Sequence, residues 1–118
     1  MKTVSTFTAQ IAVGFKNIDT GDYPTVEMAR KICQDYCNAV GLCVTLTETE
    51  FIYTDGNERG CLVGLINYPR YPSTPEKILL GHALAIAKLL LDAYKQYKVS
   101  VICSDKTYMI ERGEVNEP

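Results

Sequence analysis

Four side chains in the middle of the sequence carry its strongest chemical signal. Glu48 and Glu50 stand two residues apart in LCVTLTETEFIY, Glu58 follows the Asp55-Gly56 pair, and Tyr53 lies between them. In an extended strand, residues i and i+2 point to the same side, so Glu48 and Glu50 share a face. Carboxylates placed this way suit a ligand's ammonium or hydroxyl groups. The alternative is a solvated strand end whose glutamates meet Lys or Arg across an interface. Tyr53 near Glu58 reads as a site pair, the phenol stacking on or hydrogen-bonding a ligand, or as an ordinary cross-strand pair.

A second group follows directly: Asn67, Tyr68, Arg70 and Tyr71. Arginine beside aromatics suits phosphate, carboxylate or adenine; the bland reading is a proline-stiffened loop with polar surface residues. His82 is the sole histidine and has no Ser or Cys at a triad-forming spacing. It reads as a surface or interface residue, with general-base chemistry the alternative. Cys33 and Cys37 are one helical turn apart on an apolar helix face, and Cys43 opens the next strand. Zinc sites draw on CxxC-type knuckles with His in a tetrahedral array, so these thiols read as core packing and no metal is expected. Neither GxGxxG nor GxxxxGK[ST] occurs, and no cofactor is expected.

With 118 residues, the chain is long enough for one domain with a proper core. We expect that domain to span residues 1–113, with a polar tail at 114–118. The net charge of −2 and the lack of a basic cluster interleaved with aromatics argue against nucleic acid as a partner. The longest apolar stretch, around Ile78–Leu91, is broken by His82 and Lys88, so no membrane span is expected. The first fifteen residues lack the apolar run of a signal peptide. Five cysteines, an odd count, fit reduced thiols in a cytoplasmic compartment.

These residues need elements to position them. Phe7, Ala9, Ile11, Val13 and Phe15 alternate with more polar neighbours, which predicts a half-buried strand. NIDTGDYP is a loop of turn formers. Pro24-Thr25 opens a helix whose apolar positions, Val26, Ala29, Ile32, Cys33, Tyr36, Cys37 and Val40, recur every three or four residues until Gly41 ends it. Leu42 to Arg70 reads as one long hairpin turning at Asp55-Gly56. A two-residue turn there places Tyr53 opposite Glu58, Glu50 opposite Cys61 and Glu48 opposite Val63. Leu42, Val44 and Leu46 share a face with Glu48 and Glu50, while Phe51 and Tyr53 lie on the other. Burying an unpaired carboxylate is costly, so the arm either bulges or overhangs its own core; overhang is preferred.

After the connector NYPRYPSTP, Thr74 predicts an N-cap and Pro75 the first turn of a second helix that runs to about Tyr97. Its apolar face is wider than one buried stripe requires. Val99, Val101 and Cys103 form the last strand, SDKTYMI extends it, and ERGEVNEP reads as a frayed tail. The order is βαββαβ, an α+β, ferredoxin-like sandwich with an antiparallel sheet and two helices on one face. The overhang, an arm apolar on both faces and the broad helix together imply a homo-oligomer sharing its hairpins.

The block GLCVTLTETEFIY-turn-GCLVGLINYPRYP resembles the CutA plan within the PII/CutA group: a strand starting with Cys after the first helix, an aromatic-Thr-Asp-Gly turn, then an apolar strand. That resemblance implies a ferredoxin-like homotrimer joined through its β2–β3 hairpins, with an adenosine-type ligand such as S-adenosylmethionine (SAM) or an adenine nucleotide in clefts between subunits. Tyr53, Glu58, Asn67 and Arg70 would line the cleft, with Glu48, Glu50 and Tyr68 as further ligand contacts. VGFKN after the first strand, the acidic TETE and SDKT after the last also look like the phage SAM-degrading lyases, a group similar to PII in fold. This second resemblance implies catalysis by Tyr53 and Glu58, releasing methylthioadenosine and homoserine lactone. A structural oligomer without ligand is the third expectation.

Overall fold

Alternation in the first strand produces β1 (Thr8–Gly14), and the structure, a computed structural model, describes residues 1, 3, 5–67 and 74–113. The order continues α1 (Val26–Val40), β2 (Thr45–Tyr53), β3 (Gly56–Ile66), α2 (Glu76–Ala93), β4 (Lys98–Cys103) and β5 (Thr107–Glu111). The strands form one sheet in the order β2-β3-β1-β4-β5, and every neighbouring pair is antiparallel. The class is α+β, as expected, with one strand more than the sequence predicted.

The core lies between one sheet face and the helices. Ala9, Ile11 and Val13 of β1, Cys61, Val63 and Leu65 of β3, and Val99 and Val101 of β4 are buried there. From α1 they meet Val26, Ala29 and Cys33, and from α2 Leu79, Ala83, Ile86, Ala87, Leu90 and Leu91. Burial of apolar surface is the dominant favourable term in holding these layers together.

Helix ends follow local chemistry. The Thr25 hydroxyl accepts the Glu27 N–H at 3.4 Å, and Gly41 adopts φ 72° while its N–H returns to the Cys37 carbonyl at 2.9 Å. The second helix differs from its prediction at both ends. Pro75, not Thr74, holds the N-cap position. The helix stops at Ala93 rather than near Tyr97, because Lys95 takes a left-handed φ of 53°. Of the leucines that broaden its apolar face, Leu91 is buried and Leu80 and Leu84 are half-buried, while Ile78 and Leu89 are exposed.

That early stop turns Tyr94 into the core. Its ring stacks on Phe15 with centroids 4.6 Å apart, and its phenol donates to the Thr25 carbonyl at 2.7 Å while accepting the Ala29 N–H at 2.9 Å. One side chain therefore ties the end of α2 to the start of α1. Tyr94→Phe keeps the ring but leaves two polar groups without a partner, and should cost about 2 kcal/mol of stability in urea melts.

The C-terminal segment does not extend β4. Cys103 N–H bonds to the Lys106 carbonyl at 2.9 Å, and the chain doubles back as β5, pairing Val99 with Ile110 and Val101 with Tyr108. The polar Ser104-Asp105-Lys106 run makes the turn. Nor does Arg112 belong to a frayed tail. Its guanidinium bonds the Lys95 carbonyl at 2.6 Å, the Gln96 carbonyl at 3.3 Å and Asp19 at 3.0 Å, and stands 5.1 Å from the Tyr97 ring centroid. The expected tail at 114–118 lies outside the described residues.

Candidate functional site

The hairpin is continuous and carries no bulge between Thr45 and Ile66. Its register differs from the expected one by two residues: Tyr53 pairs with Gly56, Phe51 with Glu58, Glu50 with Arg59 and Glu48 with Cys61. The tight turn is made by Thr54-Asp55. Asp55 takes the left-handed φ of 61°, and Gly56 does not. Asp tolerates this region better than most residues. Because the slip is two residues, every side chain keeps the face that alternation gave it. Glu48 and Glu50 are exposed on the helix-side face, beyond the helices, so the overhang is real. Tyr53 and Glu58 share the opposite face as diagonal rather than direct partners.

That opposite face has no helix over it. Glycines along it let larger side chains lie against the backbone. A Cβ at Gly56 would stand 2.5 Å from the Tyr53 ring, and one at Gly60 would stand 2.6 Å from the Phe51 ring. A Cβ at Gly14 would overlap the Glu58 carboxylate. Glu58 thus leans from β3 across β1, where its Oε2 accepts the Lys16 N–H at 3.0 Å and the Gln96 side-chain amide at 3.4 Å. Tyr53 stays 58% exposed, so much of its ring is free to meet a ligand or a neighbouring chain. Two aromatic rings beside a held carboxylate can stack a flat heterocycle and attract a cationic group attached to it.

The helix-side face of the overhang is a different environment. Tyr23, Glu48, Glu50, Asn57 and Arg59 line an open cleft of about 400 Å³. Asn57 donates to Glu50 at 2.5 Å, the Tyr23 phenol accepts the Arg59 N–H at 2.6 Å, and the Arg59 guanidinium stands 4.9 Å from the Tyr23 ring centroid. The hairpin therefore separates the carboxylates that sequence reading had grouped, with Glu58 on one side and Glu48 and Glu50 on the other.

Asn67 is occupied structurally. Its amide oxygen accepts the Phe7 N–H at 2.7 Å, and its amide nitrogen donates to the Ser5 carbonyl. Tyr68, Arg70 and Tyr71 lie outside the described residues. His82 Nδ1 meets the Tyr36 hydroxyl at 2.7 Å across the two helices, away from the hairpin. Sequence reading missed Tyr23, Gln96 and the glycines at positions 14 and 60. Only the small-residue pattern of β1 and β3 hinted at the last two.

All five cysteines are free. Burial pushes the Cys33 thiol up to about 11 and Cys61 to about 12, each helped by a neighbouring thiol. Cys37 and Cys103 are raised too, chiefly by burial. Cys43 is exposed. A thiol reagent at pH 8 should therefore label Cys43 first, while Cys33 and Cys61 react only on unfolding; mass spectrometry of the labelled peptides checks this. Above pH 9 the unfolded chain releases these protons before the folded one does, so stability falls as pH rises toward 11. Among the described residues no group of His, Cys, Asp and Glu is arranged to hold a metal ion, and no helix is long and apolar enough to cross a membrane.

The arrangement of five antiparallel strands and two helices, with a long hairpin at one edge, defines a known fold. A phage SAM lyase in its apo state superposes with a TM-score of 0.70 at 20% identity, over 93% of this chain and 92% of that one. A phage SAM lyase in complex with S-methyl-5′-thioadenosine superposes at 0.69 and 16% identity, over 98% of both chains. No family model and no curated protein matches the sequence.

Proposed function

We propose that this protein is a SAM lyase of the phage type. The observation that carries the reading is Glu58, cradled over Gly14 on the same hairpin face as Phe51 and Tyr53, in a fold like that of the phage SAM lyases. The adenosine part of SAM would stack on the aromatic face, Glu58 would take the substrate's ammonium group, and the Tyr53 hydroxyl would hydrogen-bond the substrate. The substrate's own carboxylate then attacks the methylene carbon next to sulfur. The carbon–sulfur bond breaks, its electron pair neutralises the sulfonium, and the products are methylthioadenosine and homoserine lactone. No proton, metal or redox partner is needed. The protein's contribution is positioning and charge placement.

The expected adenosine-type ligand is thereby a substrate. We read the first six elements as a ferredoxin-like unit to which β5 is added, and the molecule as a homotrimer. Support for the assembly comes from exposed apolar groups: Ile52 is 79% exposed at the hairpin tip, and Ile102 and Met109 stand on the uncovered sheet face. A PII-like arrangement would put each hairpin against a neighbour, and would leave Glu48 and Glu50 to line a cleft separate from Glu58.

Incubation with SAM, followed by chromatography for methylthioadenosine and homoserine lactone, tests the reaction. Equal and negligible product from wild type and Glu58→Gln would end it. Methylthioadenosine at 100 times its Kd should add ~2.7 kcal/mol of thermal protection if the site binds adenosine compounds without turnover. A monomer in light scattering would overturn the shared-cleft form.

A further inference from the structure

We propose that Gln96 is a positioning residue that fixes the Glu58 carboxylate, and that Arg112 in turn fixes Gln96. Gln96 is the one buried polar residue among the described residues, at 8% exposure. Its side-chain amide reaches round the end of β1, donating to the Lys16 carbonyl at 2.6 Å and to Glu58 Oε2 at 3.4 Å. The same carboxylate oxygen accepts the Lys16 N–H at 3.0 Å, so Lys16 and Gln96 grip it together. On its third side the carboxylate rests on Gly14, where any side chain would displace it.

Gln96 itself has little freedom. Its N–H bonds the Leu91 carbonyl at 3.1 Å, and its carbonyl accepts Arg112 Nε at 3.3 Å. Arg112 is anchored by Asp19 and by the Lys95 carbonyl. A continuous polar chain therefore runs from the loop after β1, through the segment after β5, to the carboxylate. A surface glutamate samples many rotamers, and ordering it carries an entropic cost that this chain meets before any ligand arrives. The Gln96 amide touches no substrate in this scheme; it acts through Glu58. Its role in turnover rests on the lyase reading, whereas the contact itself does not.

The test has two arms. Side-chain amide resonances of Gln96 are followed by NMR in wild type and in Glu58→Ala, with no substrate present. A clear shift and faster hydrogen exchange in Glu58→Ala support the contact; unchanged resonances overturn it. In the second arm, Gln96→Met should lower kcat on SAM about tenfold while changing KM less than twofold, and should have no further effect in the Glu58→Gln background. Independent, multiplicative losses, or a change confined to KM, overturn the positioning role. Should Gln96→Met fail to fold, Gly14→Ala probes the carboxylate from its other side. Its loss of thermal stability should vanish when combined with Glu58→Ala, and a loss that persists overturns the cradle. Absence of turnover in wild type with a positive NMR arm discards the lyase reading and keeps the contact.

Discussion

Glu58→Gln is expected to lower kcat on SAM by about 100-fold, the scale of removing one preorganised electrostatic contact. The substitution is close to isosteric. Its amide oxygen can still accept the Lys16 N–H that the carboxylate accepts at 3.0 Å, so the fold should be retained. What is lost, on the lyase reading, is the negative charge that would attract the ammonium and hold the substrate's carboxylate within reach of the carbon it attacks. Circular dichroism and a melting curve establish that the variant is folded; product chromatography gives the rate. A variant that turns over within twofold of wild type would remove Glu58 from the mechanism. Tyr53→Phe should show a smaller loss of about tenfold, because the ring that packs on Gly56 is retained and only one hydrogen bond disappears.

Gly60→Ala is expected to cost about 3 kcal/mol of stability, the upper part of the range for overpacking. Its added methyl would overlap the Val13 carbonyl oxygen, a backbone atom of the neighbouring strand, and would press on the Phe51 ring. A flexible side chain could move aside, but a strand held in a ladder on both sides cannot. The melting temperature should fall by roughly 10 °C. Gly81→Ala is the matched control. Gly81 is exposed inside α2, and an added Cβ meets nothing within 4 Å. That change should raise stability by about 0.5–1 kcal/mol through helix propensity and the entropy of the unfolded chain. Equal effects from the two substitutions would show that close packing on the open face does not matter.

Much of this architecture was legible because hydrophobic period is a local signal. Alternation in β1, three-and-four spacing in α1, and Gly41 at its end all translated directly. The conflict between Leu46 and Glu48 on one strand face correctly indicated an arm that outruns its core. The turn was misread for a physical reason. Asp-Gly usually places Gly in the left-handed position, but here Asp55 takes it, and Gly56 serves instead to admit the Tyr53 ring. The fifth strand was missed because SDKTYMI has the composition of a strand extension, and only the bond from Cys103 N–H to the Lys106 carbonyl reveals the reversal. Gln96 and Arg112 could not be singled out from sequence. Their partners, Lys16, Glu58 and Asp19, come from segments far away in the chain, and no spacing rule links them.

The two-faced hairpin has a consequence for how this gene can vary. Consecutive codons between Thr45 and Ile66 answer to different selective demands, one set to the helix-covered side and the acidic cleft, the other to the open face with Phe51, Tyr53 and Glu58. A saturation library scored separately for abundance and for SAM consumption should separate these demands. In β3, abundance losses should concentrate at Cys61, Val63 and Leu65, whereas consumption losses at normal abundance should concentrate at Tyr53 and Glu58. Insertion of a single codon within an arm would put the residues on one side of it onto the other face, so the segment should tolerate substitution far better than a change of length.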